Sequence, residues 1–230
     1  MMRANPSMTA PVTNMIAVAS VAVFLLVRLA GMDAATAYGW GFLPARIGQP
    51  DILDHVGLGI PALPLFLTPL GATFLHGGGL HLGFNMLILL FAGRQVEMVL
   101  GGKLTLVLYG IGAYAAAAGQ WALAPDLPVP MVGASGAISA LLAAYALLFG
   151  NREVKRLGPI PAGVVRMLWL GAGWILLQFL LGIASRTGGA GLGTGGTEIA
   201  IGAHIGGFIA GMILVRPLLL IRFGSARNPH

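Results

Sequence analysis

The sequence predicts an all-α membrane protein, a bundle of six transmembrane helices with a long first loop lying partly in the membrane. Three observations carry that expectation. The 230 residues are 57% hydrophobic and only 9% charged, with a mean hydropathy of +0.88, whereas soluble domains carry about 25% charged residues. Charge-poor stretches recur at lengths near the ~20 residues that a helix needs to cross a bilayer. The lysines and arginines fall unevenly on the two sides that six crossings define. A soluble globular chain is excluded, and so is disorder, which needs low hydrophobicity and high charge. The 36 glycines follow no collagen period. The formal charge of +6 is spread along the chain without a patch, so the expected partner is the lipid bilayer and not nucleic acid. There is no cysteine, hence no disulfide framework, thiolate metal site or cysteine nucleophile.

One domain is expected over residues 1–230. The first span covers about 14–31, around the apolar run Met15–Leu26. Arg3, this apolar core and the small residues near Ala34–Ala37 look like a signal peptide, and we read the segment as an uncleaved signal-anchor. The connection from Met32 to Leu75 turns strongly apolar after Asp54 but is broken by Pro61, Pro64 and Pro69. It is too irregular to cross, and irregular backbone at membrane depth must pack on protein or line a wet cavity. The remaining spans are expected at about 76–92, 104–122, 131–149, 166–184 and 199–216. One side then holds Arg3, Arg94, Lys103, Arg152, Lys155, Arg156, Arg166, Arg216, Arg222 and Arg227, and the other only Arg28, Arg46 and Arg186. The positive-inside rule places both termini in the cytoplasm, and the compact chain suits a bacterial inner membrane.

Polar groups inside such spans are costly and mark function by default. Three clusters qualify. His76, His81 and Asn85 open the second span, and His81 and Asn85 at i and i+4 share a helix face. Both can donate hydrogen bonds. Gly133, Ala134, Ser135 and Gly136 open the fourth span after Pro128, Val129 and Pro130. A serine at a helix N-terminus has helix-end N–H groups beside it, which favour developing negative charge. His204 is the lone histidine of the last span, with Gly207 and Gly211 forming a GxxxG that permits close helix crossing. Crossing against the small-residue face of the fourth span brings an imidazole to a serine hydroxyl, the minimal base and nucleophile for acyl transfer. Taken singly, each cluster also fits a bland role: loop hydrogen bonding for His76, a packing seam around Ser139, a structural hydrogen bond for His204.

In combination the chain resembles the rhomboid intramembrane serine proteases. The resemblance runs from about Leu67 to Leu214. It rests on Phe74, Leu75, His76, Gly77 and Gly78 leading into His81, Asn85 and Met86, then Gly133, Ala134, Ser135 and Gly136, then Ala203, His204, Gly207 and Gly211. Val96 and Glu97 ahead of Leu100 and Gly101 match as well. The resemblance implies a six-helix fold with a Ser–His dyad that opens to the extracytoplasmic side and cuts transmembrane protein substrates. It implies Ser135 as nucleophile and His204 as general base, with His81, Asn85 and the Ser135 N–H stabilising the oxyanion. His76 would be structural, Glu97 would help to hold the first loop, and Gly133 and Gly207 would be structural residues beside the site. No cofactor and no metal are implied. Two positions depart from the family pattern. Leu67 and Thr68 stand where a Trp-Arg pair often anchors the first loop, and Ser139 stands where an aromatic residue often supports the histidine.

Two other readings are weighed against this one. The first is a non-proteolytic member of the same family that binds membrane clients; such members usually lack the serine or the histidine. The second is a metal-dependent protein using His76, His81 and His204. The chain has no H-E-x-x-H motif, and five residues place His76 and His81 about 140° apart on an ideal helix.

Overall fold

The structure is a computed structural model that describes residues 9–54, 56–149, 156–166, 168–169, 171–173 and 200–224. Long apolar segments form the long helices. These are α1 (Pro11–Leu29), α4 (Gly79–Leu100), α5 (Gly102–Leu123), α6 (Ser135–Phe149) and α7 (Ile201–Gly224). Two short helices, α2 (Asp33–Trp40) and α3 (Thr68–Ala72), lie in the connection between α1 and α4. Four helices (α1, α4, α5 and α7) are long and apolar enough to cross a membrane. The protein is therefore a helical membrane bundle. The described residues contain no strand, only the isolated bridges Phe42–Met131 and Leu157–Ile160. Residues 162–166 are helical, and most of the span expected at 166–184 lies outside the described residues.

Burial follows helical periodicity. Helix α1 buries only Thr13, Ile16, Ala17 and Ser20, one narrow stripe of a peripheral helix. Helix α5 buries Thr105, Leu108, Tyr109, Gly112, Ala113, Ala116, Ala117 and Gln120, a continuous face. Helix α6 is buried all round from Ser135 to Leu141, which makes it the central element. Three boundaries differ from the hydropathy reading. Helix α4 starts at Gly79, leaving His76 in the loop, and continues to Leu100 through a π turn at Leu89–Gly93. Helix α6 starts at Ser135, because residues 131–134 are taken up by the Phe42–Met131 bridge and by Gly133 at φ +121°. Helix α7 continues past 216 through Pro217 to Gly224, a position tolerated in membrane helices where neighbours re-satisfy the freed carbonyl.

Glu97 corrects an expectation. Among the described residues it makes no hydrogen bond to the first loop, and it stands away from the site. It sits 16 residues beyond His81 on α4, about 24 Å along the axis at 1.5 Å per residue. Its carboxylate accepts the N–H of Val12 (3.0 Å), the N–H of Thr13 (2.8 Å) and the hydroxyl of Thr13 (2.6 Å). Helix α1 has no side-chain cap of its own, and a helix start leaves orphan N–H groups. Glu97 supplies the cap from a neighbouring helix, and its charge suits the positive end of the α1 dipole. Glu97→Ala strands these buried donors, each worth about 1–3 kcal/mol when unsatisfied. Thermal unfolding in detergent is expected to fall clearly, and Glu97→Gln, which keeps one acceptor oxygen, is expected to lose less.

Candidate active site

Ser135 is the first residue of α6 and His204 the fourth of α7. Helix α7 closes on α6 because glycines face carbonyls along the seam. A Cβ built on Gly207 would run into the carbonyl of Gly136, and one on Gly211 into that of Ala140. Across α5, Gly206 likewise meets the carbonyl of Ala115. This approach brings His204 Nε2 to 2.8 Å from Ser135 Oγ. Both residues are buried, Ser135 at 8% and His204 at 4% exposure. Ser139, one turn below, donates its hydroxyl to the Ser135 carbonyl at 2.8 Å, so its polarity is used within α6. Its Cβ lies against the Gly207 position, where α7 packs closely.

The strand-like approach to Ser135 is fixed from the first loop. Gly133 N–H donates to the Ala72 carbonyl at 2.8 Å, and Phe42 and Met131 exchange hydrogen bonds at 3.1 and 2.7 Å. Gly133 needs to be glycine on two counts. Its φ of +121° is rarely open to other residues, and an added Cβ would lie 2.7 Å from both Cε1 and Nε2 of His81.

His81 thus presents its Nε2 edge to the Ser135 approach. Its other nitrogen, Nδ1, accepts a long bond from the Gly77 N–H at 3.4 Å. A neutral imidazole whose Nδ1 accepts carries its proton on Nε2, so the edge facing Gly133 is a donor. Asn85, 1% exposed, donates from Nδ2 to the His81 carbonyl at 2.8 Å, which leaves the second amide hydrogen free to act. His76 packs edge-on against His81, with ring centroids 5.3 Å apart. Its Nδ1 lies 3.4 Å from the Phe74 carbonyl. Its place is behind His81. Among the described residues no group of three His, Cys, Asp or Glu could hold a metal ion.

The structure also anchors the first loop at places that sequence reasoning missed. Tyr114 on α5 donates to the Phe66 carbonyl at 2.8 Å, Trp40 Nε1 to the Pro61 carbonyl at 3.0 Å, and Arg46 to the Leu63 carbonyl at 2.9 Å. Arg28 reaches the Gly77 carbonyl at 3.2 Å. These bonds hold the loop where Leu67 and Thr68 offer no Trp-Arg pair. Gln120 was missed as well. It is buried on α5, its Cα lies 2.9 Å from a Cβ built on Gly202 in the first turn of α7, and its Oε1 has no partner among the described residues. The signal was present, since a glutamine inside the apolar run Ala115–Leu123 is as anomalous as a histidine.

Comparison with known proteins adds an independent line. The family model of the Rhomboid domain matches residues 66–221, more than half of the chain. Similar proteins include "Rhomboid protease GlpG" of Pectobacterium atrosepticum, 28% identical over 210 residues, which are 89% of this chain and 61% of that one. "Rhomboid protein 1, mitochondrial" of Saccharomyces cerevisiae is 31% identical over 152 residues, 64% of this chain and 40% of that one. "Rhomboid protease GlpG" of Yersinia pestis is 30% identical over 158 residues, 68% of this chain and 47% of that one. The chain thus spans about 40–61% of the length of these relatives.

Proposed function

The chain belongs to the rhomboid family, and from that premise we propose that it is an intramembrane serine endopeptidase acting on transmembrane proteins. The observation that carries the reading is the 2.8 Å contact between His204 Nε2 and Ser135 Oγ, made by two residues that an apolar bundle has no reason to bury together. Ser135 is the nucleophile and His204 the general base. Nε2 takes the hydroxyl proton as Oγ attacks the scissile carbonyl, then returns it to the leaving amine. Negative charge develops on the carbonyl oxygen. The His81 Nε2–H, the free Asn85 amide hydrogen and the Ser135 backbone N–H are the donors that meet it. Water then hydrolyses the acyl-enzyme; Gln120 Oε1, beside the first turn of α7 and with no partner among the described residues, is an acceptor able to bind a water.

The substrates follow from the chemistry. A peptide bond in a membrane helix is shielded by its own hydrogen bonds, so a cleavable segment must unwind near the membrane surface, with small residues at the bond. Hydrolysis inside a membrane needs water, so Ser135 is proposed to lie below the extracytoplasmic surface and to open to water through a polar cavity. Both termini are proposed to be cytoplasmic, with six spans and the site opening to the opposite face.

The test is cleavage of a single-span protein in liposomes by the purified chain. Product formation resistant to chelators is expected. Intact substrate that nevertheless stays bound to folded protein would replace the proteolytic reading with the client-binding one. Asn85→Ala is expected to keep measurable activity while turnover falls about 10²-fold, the order found for single oxyanion donors in serine proteases. A wild-type rate would remove Asn85 from the site.

A further inference from the structure

Arg28 and Arg46 are the two described cations on the side of the bundle where α4 begins, and both donate to carbonyls of the first loop. Arg28 does so in an organised way. Its Nε lies 3.1 Å from Asp33 Oδ1, its guanidinium carbon 5.5 Å from the centre of the Phe24 ring, and its Nη2 donates to the Gly77 carbonyl at 3.2 Å. The rigid fork is therefore oriented before it meets Gly77. Gly77 is also the residue whose N–H donates to His81 Nδ1. It opens a run of three glycines, Gly77 to Gly79, which has no side chain to hold itself and loses the most backbone freedom on ordering. Among the described residues, Arg28 supplies the one side-chain donor to the backbone of this run.

We propose that Arg28 is a positioning residue for the oxyanion site: its hold on the Gly77 carbonyl fixes the glycine turn whose N–H sets the His81 tautomer. The inference rests on the reading of His81 as an oxyanion donor. With the turn in place, Nδ1 accepts and Nε2–H faces the approach to Ser135. With the turn released, the imidazole is free to carry its proton on Nδ1, and it then offers a lone pair where the oxyanion forms. The device joins the end of α1 to the site and stands in for part of the anchoring that Leu67 and Thr68 lack.

The test uses the whole chain in detergent micelles with ¹⁵N-histidine. The His81 ring signals are assigned by their loss in His81→Gln, and fluorophosphonate labelling of Ser135 is followed in parallel. The wild type is expected to show the Nε2–H tautomer. Arg28→Gln is expected to move the His81 signals towards a tautomer mixture and to slow labelling about fivefold to tenfold, well short of the loss of a whole donor. Arg28→Lys, which keeps one donor in reach, is expected to recover much of both. Arg46→Gln, which loosens the same loop at Leu63, is expected to leave the His81 signals in place. The proposal is overturned if Arg28→Gln keeps the wild-type His81 signals, or if Arg46→Gln moves them equally. If Arg28→Gln does not fold, Asp33→Asn decides. It removes only the carboxylate that orients the guanidinium, and unchanged His81 signals in that variant overturn the proposal too. A wild type without Ser135-dependent labelling would sink the proteolytic reading, while the tautomer comparison would still decide on Arg28.

Discussion

Ser135→Ala and His204→Ala should each lose both fluorophosphonate labelling and substrate cleavage, by about four to six orders of magnitude if the pair behaves like the nucleophile and base of other serine proteases. The reason is that the two groups act as one unit. Serine is a poor nucleophile until its proton has somewhere to go, and in the proposed mechanism His204 Nε2, 2.8 Å away, takes it. Combining the two substitutions should cost little more than either alone. Stability should change far less. Ser135→Ala removes one hydroxyl and leaves the α6–α7 seam untouched, a loss of about 1–3 kcal/mol for a buried partner left unpaired. Labelling rate and thermal unfolding, measured on the same preparations, separate the two effects. Labelling of Ser135 at the wild-type rate in folded His204→Ala would end the assignment of His204 as base.

Gly207→Leu should also slow the reaction strongly, although Gly207 carries no reactive group. Any Cβ there meets the carbonyl of Gly136, the residue after the nucleophile. Backbone cannot step aside as a side-chain tip can, so α7 must withdraw from α6. Overpacking of this kind costs about 1–3 kcal/mol, occasionally more. His204 lies three residues before Gly207 and so on the same face, and it moves with the helix. A displacement of about 1 Å at a reacting pair can cost 10²-fold in rate. The expected result is a lowered unfolding temperature together with a labelling rate down by about two orders of magnitude. Gly110→Leu on α5 is the control, because a Cβ at Gly110 meets nothing within 4 Å. It should be tolerated. Equal effects at the two glycines would mean that the seam does not set the dyad.

Much of this site was legible because a membrane makes polar residues conspicuous. Ser135, His204, His81 and Asn85 stand out in apolar runs, and helical spacing was enough to put His81 and Asn85 on one face. Gln120 stood out in the same way and was passed over. Glu97 was seen and misplaced. Its sequence neighbours do not say which helix end will reach it, and the partner turned out to be the bare start of α1, more than 80 residues away in the chain. The anchoring of the first loop was out of reach for a related reason. Its bonds run from Trp40, Arg46, Tyr114 and Arg28 to backbone carbonyls, and a carbonyl acceptor has no sequence signature.

By itself the sequence determined the class of solvent, the apolar segments and the residue types able to do acyl-transfer chemistry, because these follow from composition and local spacing. The tertiary structure alone decided which of those residues meet. Ser135 and His204 are 69 positions apart, and the contact between them depends on glycine faces that admit a neighbouring backbone at one depth only. The Gly77 N–H meets His81 Nδ1, and the Gly77 carbonyl is met by an arginine from the first helix. Those choices arise where separate helices pack, and no window along the chain contains them.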